Sequence, residues 1–198
     1  MRRPLTHLLY LHGFRSSPRS FKAQRLHGWL QLHQPRLTWW CPQLPPSPRA
    51  AWELVEHGIE RWPSQSCAVV GSSLGGFYAT GVAERTGWPA VLLNPAVNPA
   101  RDLEPHIGEQ TQFHDPNEHF EFRREYIAEL QALTVPRITR PERYAAVIAK
   151  GDEVLDWREM TGRYAGASIR LLDGGDHALS DFDVHLPFIL QFLQLQPS

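Results

Sequence analysis

Residues 67–80 read CAVVGSSLGGFYAT, an apolar run that breaks at Gly71-Ser72-Ser73-Leu74-Gly75-Gly76 and resumes as a helix former. In a G-x-S-x-G turn the serine sits between strand and helix in a strained backbone, and the flanking glycines relieve the crowding. Gly71 and Gly75 fill those places, and Ser73 is the candidate nucleophile. A serine hydroxyl is barely ionised at neutral pH. It needs a histidine to take its proton and a carboxylate to hold that ring in the right tautomer. Both follow in the chain order that this turn demands: Gly151-Asp152-Glu153, then Gly174-Gly175-Asp176-His177. Ser73, His177 and Asp152 are the proposed nucleophile, base and orienting acid. The oxyanion formed during acyl transfer needs two N–H donors. Leu74 supplies one and Phe14, in His12-Gly13-Phe14, the other.

The glycines match neither G-x-G-x-x-G nor G-x-x-x-x-G-K-[ST], so a phosphate cradle is disfavoured. Asp156 lies four residues beyond Asp152, but Asp156-Trp157-Arg158-Glu159 fits a helix capping box, which leaves Asp152 as the preferred acid. His12 also follows an apolar run, and a structural imidazole is the reading preferred for it. Arg15 could meet an acidic substrate group, although a solvated arginine is the simpler reading. His106, His114, Asp115, Glu118 and His119 are potential metal ligands, yet His114 and His119 are five apart and share no helical face, so no metal is expected.

The elements that would position these groups alternate regularly. Apolar runs at 8–11, 37–41, 68–70, 90–93, 145–149 and 169–172 read as strands. Helices are expected over 18–33, opened by Ser17 as N-cap and Pro18 at N1, over 50–62, from the serine turn to Thr86, over 157–164, and over 184–195. Strands alternating with helices call for a parallel sheet covered on both faces, with functional groups at its carboxyl edge. Residues 98–143 interrupt the pattern. They show no strand signal, and Asp115-Pro116 reads as a helix start, followed by a charged helix through about Leu133. One face of that helix would carry Phe120, Tyr126, Ile127, Leu130 and Leu133. We expect it to act as a lid, with Phe120 and Tyr126 roofing the substrate, within a single domain spanning 1–198.

Composition narrows the partners. A net charge of −1 lacks the basic excess that nucleic acid or an anionic membrane surface requires. No stretch approaches the ~20 apolar residues that span a bilayer. Two cysteines are too few for a disulfide framework, and a reducing cytoplasm is the expected setting. The start, MRRPLTHLLYLHGF, has an apolar run too short for a signal peptide.

The blocks LLYLHGFRSSPRSFKA, PQLPP, VGSSLGGFYAT, LNPAV, GDEVLDWR and GGDHA together resemble the small bacterial YqiA-type esterases of the α/β-hydrolase superfamily. The resemblance spans nearly the whole chain. It implies a compact α/β-hydrolase fold lacking the first two strands of the full sheet, no cofactor, and hydrolysis of carboxylic esters, with acyl-CoA thioesters a further substrate class. It matches Ser73, Asp152 and His177 to the family's triad. Phe77, Trp157 and Asp176 depart from the family's usual tyrosine, tyrosine and asparagine. Two other functions use the same parts: an acyltransferase, in which an alcohol or amine takes the acyl group, and a non-catalytic binding module. Retention of all three triad residues disfavours the module.

Overall fold

The structure is a computed structural model that describes residues 3–115 and 117–196. Six parallel strands form its main sheet: β1 (His7–Leu11), β2 (Thr38–Trp40), β3 (Cys67–Ser72), β4 (Ala90–Leu93), β7 (Tyr144–Ala149) and β8 (Ser168–Leu172), in the order β2-β1-β3-β4-β7-β8. A two-stranded antiparallel hairpin, β5 (Gly108–Thr111) and β6 (His119–Phe122), stands apart from it. This is the α/β-hydrolase fold, with an entirely parallel six-stranded sheet.

The sheet follows from its residues. Along β7, Tyr144, Ala146 and Ile148 face one core while Ala145, Val147 and Ala149 face the other. Leu9, Leu11 and Val69 share the first face, and Leu8, Tyr10 and Val70 the second. Because both faces are covered, each strand reads as an uninterrupted apolar run instead of alternating. Helices α1 (Phe21–His33) and α7 (Phe182–Leu193) bury Leu26, Leu30, Phe182 and Ile189 on the second face. Helices α2 (Pro48–Ile59), α3 (Leu74–Thr86) and α6 (Trp157–Arg163) cover the first, through Val55, Val82 and Met160. The strand order reverses at β1, so its carboxyl end and that of β3 flank the crevice where ligands of such sheets bind.

Several boundaries differ from the expectation. Helix α1 starts at Phe21 with Ser20 at its N-cap, because Ser17 is used in a turn: its hydroxyl accepts from Arg19 N at 3.1 Å and its carbonyl from Ser20 N at 3.0 Å. Helix α2 starts earlier, at Pro48, where Ser47 Oγ accepts from Ala50 N at 3.2 Å. Helix α7 starts at Phe182 and carries Pro187 within it.

The largest correction is the segment between β4 and β7. It holds α4 (Pro99–Leu103), the β5–β6 hairpin and α5 (Glu125–Leu133), not one long helix. Pro116 lies outside the described residues. Asp115 makes a turn, its Oδ1 accepting from Asn117 N at 3.0 Å. The His119-Phe120-Glu121-Phe122 stretch alternates polar and apolar, a period-two signal of a strand, and Phe120 therefore stands on β6.

Candidate active site

Ser73 caps α3 with φ 54° and ψ −122°, a conformation that costs an L-residue on the order of 1–3 kcal/mol. Its surroundings impose it. Ser73 N donates to Leu93 O at 3.0 Å, and its carbonyl accepts from Gly76 N at 2.8 Å and Ala96 N at 3.0 Å. The glycines are required by close approach: a Cβ on Gly71 would lie 2.2 Å from Gly75 O, and one on Gly75 would lie 1.9 Å from Leu11 O. The turn thus packs the start of α3 directly against β1.

The structure brings three distant side chains into one chain of hydrogen bonds. Ser73 Oγ and His177 Nε2 are 2.9 Å apart, and His177 Nδ1 lies 2.8 Å from Asp152 Oδ2. The Asp152 side chain is fully buried, and its other oxygen accepts from Val154 N and Leu155 N, both at 2.8 Å. Those bonds hold the carboxylate in place. Asp156 takes no part: Oδ1 accepts from Arg158 N at 2.8 Å, capping α6. Glu159 does not complete a capping box, because its carboxylate is paired with Arg101 at 2.7 and 2.8 Å.

The loop around His177 is tied down on every side. His177 N donates to Glu153 Oε2 at 3.0 Å. Lys22 Nζ, on the first turn of α1, donates to Ala178 O; burial lowers its pKa to about 8, against the attraction of Asp176 and Asp152. Asp176 turns its carboxylate to Ser180, accepting from N at 2.9 Å and Oγ at 2.6 Å, bonds that lower its pKa.

Asn94, to which the sequence alone assigned no role, is fully buried with φ 40°. Its Nδ2 donates to Asp176 O at 3.0 Å and His177 O at 3.2 Å, and its Oδ1 accepts from Ala149 N at 2.8 Å. One amide therefore joins the end of β7, which leads to Asp152, to the backbone of His177. The Asn94-Pro95 pair directly after a buried strand was the available signal.

At the end of β1 a second loop approaches Ser73. A Cβ on Gly13 would stand 3.1 Å from Ser73 Cβ and 3.3 Å from Ser72 O, so the loop passes close over the serine. Phe14 N has no acceptor among the described residues, and Leu74, first in α3, has no carbonyl of its own helix to bond. His12 is structural: Nδ1 donates to Gly13 O at 3.0 Å, which leaves Nε2 to accept from Leu44 N at 3.0 Å. Burial lowers its pKa to about 4, so the ring is neutral. A small cavity opens here, lined by Phe14, Leu44, Pro45, Leu74, Tyr78 and Phe120. Tyr126 is not on its wall, and packs against Phe122 with ring centroids 5.5 Å apart.

The residues weighed as metal ligands separate. His114 faces Glu118 at 3.4 Å, His119 faces Glu109 at 3.0 Å, and His106 packs on the Phe14 ring at 5.7 Å. Among the described residues no three metal-ligating side chains converge, and no helix is long and apolar enough to cross a membrane.

The model of the family described as an uncharacterised protein family, UPF0227, matches residues 7–194. The chain belongs to this family, the YqiA-type family that its sequence blocks resemble. A putative hydrolase from Agrobacterium vitis is 17% identical and superposes with a TM-score of 0.75, over 96% of this chain and 91% of that one. Mouse alpha/beta hydrolase domain-containing protein 10 is 14% identical with a TM-score of 0.70, over 96% and 90% of the two chains. Est1E from Butyrivibrio proteoclasticus, in its structure with ferulic acid bound, is 13% identical with a TM-score of 0.66, over 98% and 87%. At these identities the likeness is one of fold.

Proposed function

We propose that this UPF0227 member is a serine hydrolase that cleaves carboxylic esters, with acyl-CoA thioesters as a second substrate class, through an acyl-enzyme on Ser73. The observation that carries this reading is the unbroken line from Ser73 Oγ through His177 to buried Asp152, at 2.9 and 2.8 Å.

In the first half-reaction His177 Nε2 takes the Ser73 proton as Oγ bonds to the substrate carbonyl carbon. Asp152 holds the Nδ1–H and stabilises the imidazolium, remaining ionised throughout. The carbonyl oxygen gains negative charge between the N–H groups of Phe14 and Leu74. As the tetrahedral intermediate collapses, its bond to the leaving oxygen or sulfur breaks and His177 returns the proton to that atom. Water, deprotonated by the same nitrogen, then attacks the acyl-enzyme; the acid is released and Ser73 is restored. The whole chain, 1–198, works as one domain in the cytoplasm, and its insertion at 98–143 roofs the acyl group.

The cavity beside Phe14 and Leu74 is the natural place for the acyl group, with Phe120 in its wall. Likeness in fold to the esterase domain of a Rhodothermus marinus protein supports the same chemistry without specifying the acid or the alcohol. A fluorophosphonate probe followed by peptide mass analysis tests the nucleophile, and a panel of acyl esters and acyl-CoA thioesters tests the substrate class. Labelling at a serine other than Ser73 would overturn the assignment. Transfer to added alcohol in preference to water would make the protein an acyltransferase.

A further inference from the structure

The loop after β1 is held from outside the sheet. Arg15 Nε donates to Thr111 O at 2.7 Å and its Nη2 to Thr111 Oγ1 at 2.9 Å, at the end of β5. In the other direction, Phe113 N donates to Arg15 O at 2.8 Å. The Gln112 amide, oriented by its hydrogen-bonding surroundings, donates to Arg15 O at 3.0 Å and Ser16 O at 3.3 Å. The guanidinium lies over the Phe113 ring, 4.5 Å from its centroid. The neighbouring Phe14 ring packs edge-on against Phe120 and Phe122, at 5.8 and 5.1 Å.

Arg15 has φ 57°, a region that a long side chain enters only when its surroundings hold it there. The residue before it bears the N–H assigned to the oxyanion. The hairpin holds the Arg15 carbonyl, so rotation at Arg15 would release the Arg15–Ser16 peptide and let the loop that carries the Phe14 N–H re-aim. Arg15 is part of the cavity lining, and two of its guanidinium nitrogens, Nε and Nη2, are engaged by Thr111 instead of being left for an acidic substrate.

We infer that Arg15 is a positioning residue: by docking the 12–16 loop on the β5–β6 hairpin, it aims the Phe14 N–H at the developing oxyanion. This inference rests on the hydrolase reading above. It also gives the hairpin a role in building the site, beyond that of a cover.

The test compares wild type with Arg15→Ala, Arg15→Lys and Thr111→Val, each normalised to the fraction of sites titrated by fluorophosphonate. Loss of one oxyanion donor costs about 10²–10³-fold in kcat, so misaiming it in Arg15→Ala should cost roughly 10–100-fold, with KM held within about threefold. A boronic acid, which forms a tetrahedral anion on the serine, should lose affinity by the same factor. Lysine lacks the planar fork and should not restore the rate, and Thr111→Val should show a smaller loss of the same kind. Amide exchange over 12–16 should quicken in Arg15→Ala. Unchanged kcat and boronate affinity would overturn the inference, as would a loss confined to KM for acidic esters. If wild-type Ser73 fails to label, the hydrolase reading fails instead. The exchange measurement then decides the Arg15 contact alone: unchanged exchange over 12–16 overturns it.

Discussion

Asn94 Nδ2 donates to the His177 carbonyl at 3.2 Å, and the same side chain accepts from Ala149 N at 2.8 Å, so the loops bearing base and acid share one buried amide. Asn94→Ala leaves Ala149 N and two loop carbonyls without that partner, each at a cost of about 1–3 kcal/mol. We expect a loss of about 3 kcal/mol in urea unfolding together with a fall in kcat per titrated site on the order of a hundredfold, since a shift of about 1 Å at a reacting group costs that much. An unchanged kcat would confine Asn94 to stability.

Ser73 pairs reactivity with backbone strain at φ 54°. Ser73→Ala should abolish ester turnover and fluorophosphonate labelling. Ser73→Gly should be equally inactive yet more stable than Ser73→Ala by about 1 kcal/mol, because glycine enters this region without a Cβ penalty. Equal melting temperatures would show that the turn stores no strain.

The two acids near the end of β7 should separate in their effects. Asp152→Asn should lower kcat by about ten-thousandfold through the wrong histidine tautomer. Asp156→Ala should lose about 1 kcal/mol as a helix cap while keeping its rate. Kinetics paired with thermal melts would reassign the acid if the two results were exchanged.

His12 should make stability depend on pH. Its folded pKa of about 4 lies below the ordinary histidine value of 6.5, so between those limits the unfolded chain holds a proton that the folded chain does not. Stability is full above about pH 6.5 and falls as the pH drops toward 4, by at most about 3 kcal/mol. Urea midpoints from pH 7 to 4.5 should fall less steeply in His12→Gln than in wild type. Equal slopes would remove His12 as the source.

Phe120 lines the cavity and Tyr126 does not. Phe120→Ala should raise the ratio of long-chain to short-chain ester kcat/KM, each methylene accommodated being worth about 1 kcal/mol. Tyr126→Ala should lower the melting temperature and leave that ratio alone. An unaltered chain-length profile in Phe120→Ala would return the ring to a packing role.

What the sequence determined by itself was local or repeated. The strand runs were legible because strands buried on both faces need apolar side chains at every position. The serine turn was legible because the approach of Gly75 to Leu11 O leaves no room for a Cβ. Asp152 could be ranked above Asp156 from cap spacing, and the Asp156 cap forms, to Arg158 N. The β5–β6 hairpin escaped because four alternating residues are a weak signal, and it is packing of Phe120 and Phe122 against Phe14 that holds them as a strand. Only the tertiary structure decided that Arg15 docks on Thr111, 96 residues away, and that Asn94 reaches Ala149 and His177, 55 and 83 residues on. Bonds over such distances are chosen by how the chain packs, and neither residue's neighbours in sequence carry a trace of its partner.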